Sequence, residues 1–143
     1  MNCWAEKYVH QEAGKTLEKN CLAFVRRIVR EEFRKDFPGP LGFARFVMRL
    51  TGVTDLSEIM LAAQYGAGDK RWTFRKTKRL KDGTVVIFGT DSNPLKHIGV
   101  YCQAADRIVH AVTDIERPIV RAEEPWRLRL EWPLILKMDV VPA

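Results

Sequence analysis

Cysteine is scarce in this chain: Cys3, Cys21 and Cys102 are an odd number at wide spacing. That argues against a disulfide framework and against a CxxC metal knuckle, and it leaves at least one thiol free. Long apolar runs are missing too. Nothing approaches the roughly 18 to 20 apolar residues of a membrane span, so none is expected. The opening stretch MNCWAEKYVHQEAGKTLEKN lacks the apolar core of a signal peptide, and the expectation is a protein that is cytoplasmic as synthesised. Internal repeats and low-complexity segments are also absent, which excludes a repeat array or a disordered linker as the basis of the fold.

What is present fits one globular domain over residues 1–143, with 46% apolar and 29% charged residues. A chain of this length buries roughly two-thirds of the surface that its unfolded form exposes. Net charge is +6, and much of it sits in KRWTFRKTKRLK, residues 70–81, where seven of twelve residues are basic. An acidic partner suits such a run.

Apolar residues at 22, 25, 28, 29 and 33, with arginines and Glu31 between them, predict an amphipathic helix over 22–33. Asn20 is a favoured N-cap residue, so Cys21 falls in the first helical turn. FPGP, residues 37–40, ends the helix. Two short helices are expected next, over 41–50 and, after Thr54, Asp55 and Glu58, over 56–63; they form a helical insertion at 40–68. From Trp72 the pattern changes to short β-branched and aromatic runs: RWTFRK, TVVIFG, HIGVYCQ, RIVHAV, PIVRA, RLRLEW and LILKMDV. Helices followed by strands indicate an α+β fold in which N-terminal helices pack on an antiparallel β-sheet.

The segment KHIGVYCQAADRIVHAV sets two histidines in a hairpin. Side chains alternate along a strand, so His97, Gly99 and Tyr101 share one face while Ile98, Val100 and Cys102 share the other. If Ala104 and Ala105 form a two-residue loop, Gly99 pairs with His110, and His97 becomes its diagonal neighbour on the same face. A turn longer by one residue sends His110 to the opposite face. Gly99 leaves room for close approach between the rings. Taken alone, one histidine in the core and one on the surface is the simpler arrangement.

Cys21 is a candidate nucleophile, because unpaired N–H groups and the helix dipole stabilise a thiolate in a first helical turn. The same N–H groups suit an oxyanion. An imidazole in reach takes the thiol proton, and a second polar residue fixes that imidazole's tautomer. Cys21, His97 and His110 fit these roles in chain order. The alternative for Cys21 is a small buried residue on the apolar side of its helix.

With these residues in place, the sequence resembles the NlpC-type family of papain-like cell-wall cysteine endopeptidases. The resemblance lies in WAEKYV (4–9), NCLAFVRRIVREEF (20–33), and DGTVVIFG (82–89) followed by HIGVYCQAADRIVHA (97–111). The arginine-rich second block is most similar to members encoded with phage tail proteins. The resemblance implies Cys21 as nucleophile, His97 as general base, His110 as the orienting third residue, and Tyr8 as a substrate-binding residue lining the site. It further implies hydrolysis of the peptide stems of peptidoglycan, commonly between D-glutamate and diaminopimelate, with no cofactor and no metal. Peptidoglycan stem peptides and phage tail proteins are then the expected partners, and the virion tail or the cell wall the expected destination. The rival reading is a non-catalytic structural or nucleic-acid-binding module on the same fold, with basic residues around Trp72 and Phe74 offering phosphate contacts and stacking surfaces. Against nucleic acid, the same run reads as a solvated edge strand whose lysines discourage sheet association.

Overall fold

The computed structural model describes residues 3–9, 21–38, 49, 69–90, 92, 96–114 and 117–143. Its first long element is the helix α1, Cys21–Phe33. The face at Phe24, Val25, Ile28 and Val29 is fully buried, each residue no more than 1% exposed. Burying such a side chain stabilises the fold by about 1.5 to 3 kcal/mol. On the arginine-rich face Arg26 and Arg27 are half-buried and Arg30 is exposed, and Arg27 pairs with Glu31 one turn on at 2.9 Å. The helix stops at Phe33, ahead of FPGP, where Arg34 turns left-handed with φ 55°. Asp36 then accepts two hydrogen bonds from the Arg26 guanidinium, at 2.7 and 3.0 Å, which ties the departing chain back to α1.

Six antiparallel strands make one sheet: β1 Trp72–Lys76, β2 Val85–Gly89, β3 His97–Cys102, β4 Arg107–Asp114, β5 Arg117–Glu123 and β6 Leu134–Pro142. Their order is β1-β6-β2-β3-β4-β5, so the last strand in sequence lies between the first two. The apolar C-terminal run thus closes the sheet from within. The expected α+β architecture holds, an N-terminal helix packed on an antiparallel sheet.

Period-two alternation divides the strands between two apolar clusters. Val85, Ile87, Ile98, Val100 and Val109 face the buried residues of α1. Val86, Phe88, Tyr101 and Ile108 face the other way and pack on Leu128 of a second helix, α2, Pro125–Glu131. α2 corrects the expectation of a strand at RLRLEW. Pro125 at the first helical turn has no N–H to lose there and a φ already suited to a helix, and this outweighs the alternating pattern behind it. Only Leu128 of that pattern is buried, whereas Leu130 is 79% exposed.

A second correction concerns the cysteines. Cys3 and Cys102 form a disulfide across a sequence separation of 99. Scarcity argued against a disulfide framework, yet one bridge needs only two thiols brought together by the fold. Cys3 precedes a 3-10 turn at Trp4–Lys7, and Cys102 ends β3, where both are buried. Asn20 and, apart from Arg49, which is helical and exposed, the two short helices and the insertion at 40–68 lie outside the described residues. At the mouth of that insertion the Asp69 N–H donates to the Phe37 carbonyl at 2.8 Å, so the chain returns beside its point of departure.

Candidate active site

The β3–β4 hairpin has the register that a loop at Ala104 and Ala105 requires: Val100 opposes Val109, Tyr101 opposes Ile108 and Cys102 opposes Arg107. The turn closes with the Asp106 N–H donating to the Gln103 carbonyl at 3.1 Å. Asp106 takes the left-handed conformation, φ 50°, which aspartate tolerates better than most residues. Extending the register, Gly99 lies opposite His110. A Cβ on Gly99 would meet Ile108 Cγ2 at 2.7 Å, the Val109 carbonyl oxygen at 3.0 Å and His110 Cβ at 3.3 Å. The strand crosses His110 this closely only because residue 99 has no side chain.

The two histidines meet directly. His97 Nε2 and His110 Nδ1 are 2.6 Å apart, and the ring planes stand at 72°. His97 is half-buried against Trp132 at 5.1 Å and Phe88 at 6.2 Å between ring centroids. His110 is 1% exposed, and its Nε2 is 3.3 Å from Glu123 Oε2. Among the described residues nothing hydrogen-bonds to His97 Nδ1. Burial lowers the His97 pKa to about 3, helped by the charge of His110, and lowers that of His110 to about 4, helped by Arg121. Both rings are therefore neutral at neutral pH.

Cys21 begins α1, so it occupies the first helical turn as expected; its side chain lies outside the described residues. The other end of the helix lies beside Gly83. A Cβ on Gly83 would touch the Phe33 ring, and the Gly83 N–H donates to the Tyr101 carbonyl at 2.9 Å, near the end of β3. α1 packs against β3 and β4. The histidines belong to the face turned away from α1, the side of Phe88, Tyr101 and Ile108.

Tyr8 packs against α1. It is 2% exposed, lies edge-on to Phe24, and donates its hydroxyl to Glu31 at 2.7 Å and Glu32 at 3.1 Å. Burial first, then these two carboxylates, raise its pKa above the usual tyrosine range. These are the contacts of a packing residue that braces α1. The basic run lies on β1, an edge strand, where Arg75 and Lys76 are exposed. Phe74 points inward onto Phe37, with ring centroids 5.0 Å apart, and offers no stacking face to a base.

Sequence reading missed Glu123, Phe88 and Trp132. Phe88 opposes His97 in the β2–β3 register. Glu123 reaches His110 because β5 pairs with β4 so that Ile108 opposes Glu123 and His110 opposes Arg121, making Glu123 a diagonal neighbour. The alternation of Arg121 and Glu123 with Val120 and Ala122 carried that signal, but no Gly or Asn marked the turn that sets the register. Comparison with protein-family models, curated proteins and solved structures finds no match for the chain.

Proposed function

We propose that the protein is a papain-like cysteine peptidase of the NlpC kind, which hydrolyses the stem peptides of bacterial peptidoglycan as a phage-tail-associated component. The observation that carries this reading is the direct His97–His110 contact of 2.6 Å, taken together with Cys21 at the start of α1. Cys21 gives its proton to His97 Nδ1, and the thiolate attacks the amide carbonyl. The tetrahedral oxyanion is held by the N–H groups of the helix start. As the intermediate collapses the C–N bond breaks, and the leaving amine takes the proton from His97. Water then gives a proton to His97 and attacks the thioester, which releases the acid and restores the thiol.

A neutral His97 suits the first step, and His110 holds the ring against rotation. The Cys3–Cys102 bond supports an oxidising destination such as the cell exterior, where disulfides persist. Incubation with purified stem peptides containing the D-glutamate–diaminopimelate bond is the test. Cleavage should occur with the native chain and vanish with Cys21→Ala. Equal cleavage by both removes the mechanism. Salt-dependent nucleic-acid binding that survives Cys21→Ala, with no cleavage by either chain, favours the binding-module reading instead.

A further inference from the structure

A neutral imidazole carries one proton on one of two nitrogens, so in a chain of hydrogen-bonded rings each tautomer dictates the next. The chain here starts at a carboxylate. Glu123 Oε2 lies 3.3 Å from His110 Nε2, and a carboxylate oxygen accepts. The proton of His110 therefore belongs on Nε2, which leaves Nδ1 bare. His97 Nε2 is 2.6 Å from that bare nitrogen and must donate to it. The His97 proton is then on Nε2, and its remaining nitrogen, Nδ1, is the unprotonated one.

We propose that Glu123 is a positioning residue which, through His110, fixes the tautomer of His97 so that a basic Nδ1 is always presented. Two further features agree. Arg121 lies directly opposite His110 in the β4–β5 register, and its charge disfavours a second proton on His110, so the ring stays a relay and does not become a charge store. Phe88 and Trp132 wall His97 with apolar rings, so the exchange of tautomers through water is restricted on that side. Without the carboxylate, the two orders of protons along the chain become comparable in energy, and part of the population carries its proton on His97 Nδ1, where it cannot receive another.

The tautomer assignment stands on geometry alone; its consequence for turnover rests on the peptidase reading above. The test is a long-range proton–nitrogen correlation spectrum of the histidine-labelled full chain at neutral pH, with rings assigned from His97→Gln and His110→Gln. Both rings of the native chain should be protonated at Nε2. In Glu123→Gln, whose amide can donate as well as accept, an Nδ1-protonated population should appear on both rings, while the backbone amide spectrum stays native. On a synthetic stem peptide, kcat should fall about tenfold to a hundredfold at unchanged KM, as when an outer-shell partner that orients a ligand is removed. Glu123→Asp should restore part of it. A His110 protonated on Nδ1 in the native chain overturns the proposal, and so does a Glu123→Gln chain with native tautomers. Should the native chain cleave no stem peptide, the peptidase reading fails while the spectra still decide the role of Glu123; should Glu123→Gln fail to fold, the native spectrum decides it.

Discussion

Burial favours the uncharged form of an imidazole, because a charged ring loses its hydration on entering the protein. His97 and His110 are both held this way, with pKa values lowered to about 3 and about 4 from 6.5. The groups facing them are each other, Arg121 and Glu123. Between pH 4 and 6.5 the unfolded chain binds protons at these positions and the folded chain does not, so stability rises with pH there. It is fully present above about pH 6.5 and is lost as pH falls toward the folded values. Each histidine contributes roughly 1.4 kcal/mol per pH unit within that window. Urea unfolding across the window should therefore show a steep loss toward acid, with a shallower slope in His110→Gln. Carboxylates elsewhere titrate alike in both chains and cancel in the difference. Equal slopes mean that His110 is not held neutral by burial.

At the scale of elements, the hairpin of β3 and β4 determines whether a site exists. The register puts Gly99 opposite His110, and a Cβ at that position would sit 3.0 Å from a backbone oxygen of the neighbouring strand. Gly99→Ala forces the strands apart at the point where the rings meet. It should destabilise by about 1 to 3 kcal/mol in chemical unfolding, the usual range for overpacking. Cleavage should fall further than stability explains, because the histidine contact is displaced. A change below 0.5 kcal/mol in unfolding would show that the crossing is not tight. The hairpin was legible in the sequence from its alternation and its glycine, but its register was not, because a turn of two or of three residues fits the same pattern and only the pairing of Val100 with Val109 decides between them. α2 was not legible: Leu128 and Leu130 alternate as strand residues do, and only the packing of Leu128 beneath the sheet shows that helix geometry prevails. Glu123 was hidden for a related reason. Its place beside His110 depends on a pairing between strands, and no local residue announces such a pairing.

For the whole molecule, the feature that local patterns could not reveal is the Cys3–Cys102 bond, since a contact across 99 residues exists only after the fold is complete. The N-terminal turn is also held by Trp4, which donates to Asp82 at 3.1 Å and lies edge-on to Phe33 at 5.6 Å, and by Lys7, 3.0 Å from Glu32. The bond thus reinforces a docking that side chains already make. Its main effect falls on the unfolded chain, whose freedom it restricts over nearly the whole length. A native bridge of this kind stabilises by about 2 to 4 kcal/mol. Reductant, or Cys3→Ala, should therefore lower the unfolding midpoint, and reductant should no longer matter in the variant. His97 and Cys102 stand at opposite ends of β3, so the histidine contact and any cleavage should survive mild reduction below the new midpoint. Without reductant, only Cys21 is left to react with an alkylating agent, whereas after reduction and unfolding all three cysteines should be modified. Three reactive thiols in the unreduced, unfolded chain, or a midpoint indifferent to reductant, would remove the bond from the account of stability and with it the support for an oxidising destination.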